Sequence, residues 1–148
     1  MRYSFLAIIA LAAVTAAGAK TDDPDKSDLE KMQGDWSSVV YVVDGTTLDD
    51  DDAQAYFRTI KGDQYSVFHF NKPLGKGTFK IDATKRPKTI DAWPATAKDK
   101  ANPMLGIYEL EGGRLKFCFA AAGKARPSEF TAKEGSEHTL TVREREKK

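Results

Sequence analysis

Apolar residues recur at every second position through most of the chain after Gly34, which is the period of half-buried β-strands. The clearest case is Gly106–Phe119, where the alternation continues on both sides of Glu111-Gly112-Gly113 and predicts a hairpin with a glycine turn. Consecutive runs are separated by short turn signals rather than by long crossovers. The pattern therefore predicts an all-β fold, an up-and-down antiparallel barrel of about eight strands with one or two short helices.

The N-terminal segment has the order of a secretory signal peptide. Met1-Arg2 is followed by an apolar run and then by Ala17-Gly18-Ala19, which predicts a signal peptide over 1–19. The apolar run is too short to be typical of a membrane span, so no span is expected after cleavage. We therefore expect an exported protein, periplasmic or extracellular, with a flexible polar spacer over 20–31 and a barrel domain over 32–148. The spacer is expected to end in a short helical turn, Ser27–Met32, capped by Ser27.

Two segments depart from simple alternation. The four aspartates Asp49–Asp52 precede an alanine-containing stretch, which favours a helix N-terminus; a calcium site is the alternative, but the EF-hand spacing is absent. Near the C-terminus, a further strand is predicted around Ser128–Ala132, before the last strand at His138–Arg145.

Charge and reactive residues narrow the function classes. The chain has 23 basic and 22 acidic residues, and removal of Arg2 with the signal leaves 22 of each, which argues against a nucleic-acid partner. Cys118 is the single cysteine and is expected to be a small buried residue. His69 and His138 are too few for a zinc site, and no nucleophile motif is present. We therefore predict no enzyme activity, no metal and no cofactor.

Several fragments resemble a family of exported bacterial domains, found mainly in planctomycetes, described as lipocalin-like and without an established activity. The matching fragments are Met32-Gln33-Gly34-Asp35-Trp36, Val43-Asp44-Gly45, Lys61-Gly62-Asp63, Gly77-Thr78-Phe79-Lys80-Ile81-Asp82, Pro87-Lys88-Thr89-Ile90-Asp91, Gly106-Ile107-Tyr108-Glu109-Leu110, Leu115-Lys116-Phe117-Cys118-Phe119 and Gly123-Lys124-Ala125-Arg126-Pro127-Ser128-Glu129-Phe130. The resemblance implies fold and export. In lipocalin-like barrels the G-x-W motif forms the floor, which would comprise Gly34 and Trp36 under Arg143 or Arg145.

A barrel of this size is either filled by its own side chains or holds one small ligand. The residues expected to line its interior or mouth are Trp36, Val40, Val42, Phe68, Phe70, Phe79, Trp93, Tyr108, Phe117 and Phe119. Trp93 is expected to stack on a ligand or gate the mouth, because it precedes the loop Pro94–Asn102. Two functions remain open: a lipocalin-like module that binds a small apolar or amphipathic ligand, and an interaction domain with a filled barrel that binds an unknown protein partner.

Overall fold

The structure is a computed structural model that describes residues 22–98 and 100–146. The predicted signal peptide over 1–19 lies outside the described residues. Among the helices in the described ranges, none is long and apolar enough to cross a membrane. The elements in chain order are α1 (Pro24–Met32), β1 (Gly34–Val43), β2 (Thr46–Thr47), α2 (Asp50–Gln54), β3 (Tyr56–Lys61), β4 (Gln64–His69), β5 (Lys72–Asp82), β6 (Lys88–Pro94), β7 (Met104–Glu111), β8 (Arg114–Ala120) and β9 (His138–Arg145).

The strands form a closed antiparallel barrel, so the predicted all-β up-and-down barrel is confirmed. From β3 to β9 each strand pairs with the next one along the chain. β1 pairs with β3 on one side and with β9 on the other, which closes eight strands into a barrel and leaves no free edge between them. β2 is an extra two-residue strand that forms a hairpin with the end of β1.

The strand expected around Ser128–Ala132 is absent. These residues lie in the connection between β8 and β9, without strand pairing. The prediction was wrong because β8 is already hydrogen-bonded to β7 on one edge and to β9 on the other, so no edge remains for another strand.

α2 begins where the aspartate run predicts a helix N-terminus. Asp49 is the N-cap, and its side chain accepts a hydrogen bond of 2.9 Å from the backbone N–H of Asp52. The remaining aspartates of the run occupy the first turn, where carboxylates interact favourably with the positive end of the helix. The capping interpretation of this segment is therefore the one that the structure supports.

α1 lies where a flexible spacer was predicted over 20–31. Asp23 caps the helix by accepting from the backbone N–H of Asp25, and Pro24 stands at the first helical position, where its missing N–H costs nothing. The helix closes one end of the barrel, the floor, and its residues Asp28 and Met32 are buried. The polar composition of this segment gives no indication that Asp28 and Met32 are buried.

The floor contains the predicted tryptophan. Trp36 is 1% exposed, and its indole N–H donates to the backbone carbonyl of Met32 at 2.8 Å. Arg145 packs over the indole, with its guanidinium carbon 4.3 Å from the ring centroid, and donates to the carbonyls of Gln33 and Lys31. Arg143, the other candidate for this position, lies further inside the barrel, opposite Ser38 of β1.

Above the floor, the lower half of the barrel is filled by side chains. The buried cluster comprises Met32, Trp36, Ile60, Phe79, Ile81, Ile90, Ala92, Tyr108, Leu115, Phe117 and Phe119. The absence of a side chain at Gly106 leaves space for Phe119, since a Cβ at Gly106 would lie 2.6 Å from the Phe119 ring. Four of the predicted interior residues, Phe79, Tyr108, Phe117 and Phe119, thus lie inside the barrel and form its core together with Trp36.

The prediction that Val40 and Val42 point into the barrel is wrong, because a β-bulge in β1 shifts the alternation of inward and outward side chains. The pairing with β9 slips between Ser38 and Val40. Side chains that face each other across an antiparallel pair lie on the same face, so Ser38 points inward with Arg143, whereas Val40 and Val42 point outward. Val40 is 37% exposed as a result.

The two phenylalanines of β4 also point away from the barrel interior. A two-residue turn at Gly62-Asp63 pairs Ile60 with Tyr65, so the inward residues of β4 are Tyr65, Val67 and His69. Phe68 instead stacks on Phe57 at the outer surface, with ring centroids 4.6 Å apart. Phe70 lies beyond the end of the strand at a positive φ and is 61% exposed.

Candidate ligand-binding site at the barrel mouth

The end of the barrel opposite α1, which we call the mouth, contains a cavity of about 360 Å³. It is lined by Arg58, Tyr65, Val67, Leu74, Gly75, Lys76, Pro94, Ala95 and Thr96. Below it, the void between Arg58 and the core rings measures only about 10 Å³. The barrel is therefore filled towards the floor and open towards the mouth, and Arg58 lies at the boundary between the two halves.

Arg58 enters the interior because of its position on β3. It pairs with Trp36 of β1 and with Val67 of β4, both of which point into the barrel. Its guanidinium carbon is 5.0 Å from the ring centroid of Tyr65 and 5.0 Å from that of Phe117. The two rings hold the guanidinium near the centre of the barrel, and its Nε has no hydrogen-bond partner among the described residues.

Arg143 is the second interior cation. It is 1% exposed, and it lies on β9, on the opposite side of β1 from β3. Its Nε and Nη1 are buried without a hydrogen-bond partner within residues 22–98 and 100–146, and the same is true of the hydroxyl of Ser38, its cross-strand neighbour. Four buried polar atoms thus lack partners at one level of the barrel.

Neither interior arginine has a counter-charge in the described part of the chain, where ion pairs involve other residues. Burial, and then the charge of Arg58, lowers the pKa of Arg143 to about 9, which still leaves it charged at pH 7. Burial also lowers the pKa of Arg58. The groups that offset these shifts are the tyrosines Tyr41 and Tyr65, not carboxylates.

Aromatic rings compensate only part of the cost of burying this charge. A cation over a ring contributes about 0.5–2 kcal/mol, whereas the effective penalty for burying one ion is several kcal/mol. Arg143 makes no cation–π contact among the described residues. The described residues therefore compensate the charge of this pair only in part.

A row of aromatic rings lines another part of the mouth. Tyr41 and Tyr56 have ring centroids 4.7 Å apart, and Tyr56 stacks on His69 at 4.1 Å. These residues come from β1, β3 and β4 and face inward, because Tyr41 pairs with Thr141 after the bulge and Tyr56 pairs with His69. They give the mouth an apolar wall with polar edges, which suits an amphipathic molecule.

Two clefts of much larger volume lie on the outer surface, and several of their polar groups already bond within the fold. One, of about 690 Å³, runs between α1 and β5. Its residues Asp23 and Asp25 accept backbone N–H groups of α1 and of Ala83, and the indole of Trp93 donates to the carbonyl of Lys100. The other, of about 600 Å³, is bordered by the stacked Phe57 and Phe68. Neither cleft contains any of the buried unpartnered atoms identified in the described ranges.

The prediction that Trp93 lines the barrel interior or mouth is wrong, because its side chain lies on the outer face of β6. It pairs with Thr78 on β5 while its neighbours Ala92 and Pro94 point inward, so its ring lies on the outer face and lines the cleft beside α1. It therefore cannot stack on a molecule in the mouth cavity. The strand register explains this orientation. Phe79, a core residue, pairs with Ala92, so Ala92 points inward and the next residue, Trp93, points outward.

Of the residues at the centre of this site, Arg143 was predicted only as a candidate for the floor, and Arg58 and Ser38 were not predicted. Arg58 stands between Tyr56 and Ile60 at the inward parity of β3, and Ser38 and Arg143 face each other across β1 and β9. An arginine at an inward position of an alternating strand is a usable signal, since charged residues are almost never fully buried unless paired. The bulge in β1 had no comparable signal.

The single cysteine of the chain lies outside the cavity and is not reactive. Cys118 is buried, its Sγ donates to the carbonyl of Thr131 at 3.3 Å, and burial raises the pKa of its thiol, all of which make it a poor nucleophile. Within residues 22–98 and 100–146, no group of three or more His, Cys, Asp or Glu side chains could hold a metal ion. The chemistry that the arrangement offers is the binding of a molecule by cations, hydroxyls and rings.

Comparison with protein-family models, with curated proteins and with solved structures gave no match to this chain. The resemblance to exported lipocalin-like domains therefore stays a prediction from the sequence fragments.

Proposed function

We propose that the protein is a non-enzymatic binding module that holds one small amphipathic molecule in the mouth half of its barrel. The observation that carries this proposal is the cavity of about 360 Å³ above a filled core, with Arg58 at its base. Its volume lies in the range of small-molecule sites and corresponds to the liquid volume of about 12 water molecules. In our proposal the protein acts after export, as the N-terminal segment predicts.

The composition of the cavity supports an amphipathic ligand. Val67, Leu74 and Pro94 provide apolar surface, whereas Arg58 and Lys76 provide charge. Sites for small molecules typically combine mostly apolar walls with a few polar groups that fix orientation. The filled lower half limits the ligand to the mouth, so a short chain or a single ring system fits the proposal better than a long lipid.

Gly75 offers a direct way to block the cavity. It lines the cavity, its φ is not in the left-handed region, and a Cβ added there would meet no atom within 4 Å. Gly75→Leu should therefore fill the cavity without a steric clash. Thr78→Leu is a matched control, because Thr78 is exposed on the outer face of the same strand.

The test is an NMR titration of the full chain with octanoate and with 1-octanol. We expect saturable shifts of backbone amides around Val67, Gly75 and Thr96, small shifts around Trp36, no saturable shifts in Gly75→Leu, and wild-type behaviour in Thr78→Leu. Absence of saturable shifts with both compounds in the wild type would contradict the proposal and favour a domain that binds protein partners through its outer surface.

A further inference from the structure

The fold uses some of its arginines for structure and leaves two without such a role. Arg126 donates to the carbonyls of Ile90 and Gly106 and pairs with Asp91, and Arg145 donates to two carbonyls at the floor. Arg58 and Arg143 make no ion pair with any described residue, and three of their guanidinium nitrogens are buried without an acceptor. The contrast shows that these two cations are not needed to satisfy backbone carbonyls.

We propose that Arg58 and Arg143 bind an oxyanion, a carboxylate or a phosphate, at the polar end of a small amphipathic ligand that enters through the mouth. This inference rests on the proposed function and names the chemical class of its ligand. The hydroxyl of Ser38 adds a third donor beside Arg143. The apolar part of the ligand lies in the mouth cavity beside Val67 and Pro94.

The donor set selects an anion over other polar groups. A guanidinium carries only donors, so its unsatisfied N–H groups need acceptor oxygens, and a planar oxyanion can accept two parallel hydrogen bonds from it. A ligand with an ammonium group would add a like charge to a site that already holds two. A neutral alcohol would accept a hydrogen bond but would leave the buried charge uncompensated.

The location of the pair fits entry from the mouth. Arg58 lines both the mouth cavity and the narrow void below it, so an incoming anion reaches its guanidinium first. Arg143 lies on the other side of β1 and is 1% exposed. The charge of Arg58 is close enough to lower the pKa of Arg143. An anion between the two would relieve their repulsion as well as their missing hydrogen bonds.

The experiment is calorimetric titration of the full chain at pH 7.5 with octanoate, octyl phosphate, 1-octanol and octylammonium, which share one alkyl chain. We expect at least one anion to bind about tenfold or more tightly than 1-octanol, and octylammonium to bind most weakly. The tighter of the two anions identifies carboxylate or phosphate as the preferred group.

Three variants locate the effect. Arg58→Met and Arg143→Met should each weaken binding of the preferred anion by about tenfold or more, and should reduce the preference of the protein for that anion over 1-octanol. Arg114→Met is the control, because it makes the same change on the outer surface, where Arg114 pairs with Glu144. Arg143→Lys, which keeps the charge and loses the planar fork, should bind the anion with intermediate affinity.

The outcomes separate this inference from the proposed function. Equal affinity for octanoate, octyl phosphate and 1-octanol in the wild type would overturn the anion inference and leave the binding module intact. Failure of all four compounds to bind would overturn both. Unchanged anion affinity in folded Arg58→Met and Arg143→Met would overturn the assignment to these residues; if either fails to fold, the ranking of the four compounds by the wild type decides.

Discussion

Arg143 is a buried cation that its surroundings in the described residues do not stabilise. Its guanidinium is almost completely removed from water, lies close enough to Arg58 for that charge to lower the pKa of Arg143, and has two nitrogens without acceptors in the described residues. A buried, unpaired ion destabilises a fold by several kcal/mol. A contribution to ligand binding accounts for such a residue better than a contribution to stability does. We therefore expect its removal to stabilise the protein.

We expect Arg143→Met to raise the free energy of unfolding of the ligand-free protein by about 1–3 kcal/mol, because an apolar side chain of similar length replaces an uncompensated charge. The measurement is urea denaturation of delipidated protein at pH 7. Arg114→Met should stay within about 0.5 kcal/mol of wild type, since its ion pair is exposed. A loss of stability of more than about 1 kcal/mol in Arg143→Met would indicate that the fold itself depends on this arginine.

Tyr108 makes the stability sensitive to alkaline pH. Its hydroxyl donates to Asp28 at 2.9 Å, and burial, the hydrogen bond and the negative charge of Asp28 all raise its pKa above the ordinary value of 10. Because the folded state holds this proton more tightly than the unfolded state, the contribution of Tyr108 to stability is complete below pH 10 and falls as the pH rises above it.

Tyr108→Phe tests this linkage. At pH 7 the variant should lose about 1.5–3 kcal/mol, because a hydrogen bond to a charged group is removed in a buried site. Between about pH 10 and 11 its stability should fall less steeply than that of the wild type. Both are measured by urea denaturation across the pH series, and parallel slopes above pH 10 would show that Tyr108 does not carry the alkaline sensitivity.

Among the elements, α1 has the clearest structural task, since it closes the barrel floor. Asp28 reaches from the helix to Lys88 of β6 at 2.6 Å and to Tyr108 of β7, so one carboxylate joins the helix to two strands. The Asp28 side chain is 9% exposed and that of Lys88 is 30% exposed, which places this pair between surface and interior. Its loss should therefore cost more than a surface ion pair and less than a fully buried one.

We expect Asp28→Ala to lower the free energy of unfolding by about 2–4 kcal/mol, because Lys88 and Tyr108 lose their partner at once. Glu30→Ala is the matched control, as it removes the same kind of charge from an exposed position of the same helix. The two variants are compared by thermal and urea denaturation. Equal effects would mean that α1 is only loosely attached to the floor.

The elements also show where sequence patterns are sufficient and where they fail. The alternation around the hairpin of β7 and β8 correctly predicts Tyr108, Phe117 and Phe119 as inward residues, because one face of each strand is consistently apolar. In the second half of β1 both faces are apolar, so the pattern contains no information about the bulge that turns Val40 outward. Only the part of α1 from Ser27 to Met32 was predicted as helical, since only a few positions of this helix, among them Asp28, are buried.

The candidate site was less predictable than the core for a physical reason. Sequence reasoning selects large apolar residues for a barrel interior, and these form the filled half that excludes a ligand. The mouth is instead defined by a small residue, Gly75, which leaves space, and by Arg58, whose charge suggests an exposed position. Arg143 lies deeper in the same interior, opposite Ser38. Which strand faces meet across the barrel, and hence that the two arginines share one interior, depends on the closure between β1 and β9.

At the scale of the whole molecule, the barrel divides into a half that is filled by side chains and a half that contains an open cavity. The floor half combines α1, Trp36 under Arg145 and the aromatic core, with a void of only about 10 Å³ above it. The mouth half contains the cavity, with Arg58 at its base, and the row of aromatic rings. Because the two halves share strands but few side chains, changes at the mouth should alter binding with little loss of stability.

The most direct test of this account is native mass spectrometry of the full chain incubated with a small excess of octanoate and octyl phosphate, followed by denaturing release of what is bound. We expect a one-to-one complex with at least one of these anions, and we expect it to be lost in Gly75→Leu and in the Arg58→Met, Arg143→Met double variant. A wild-type protein that remains unbound under conditions that preserve its fold would show that the barrel mouth is not a binding site for a small organic anion.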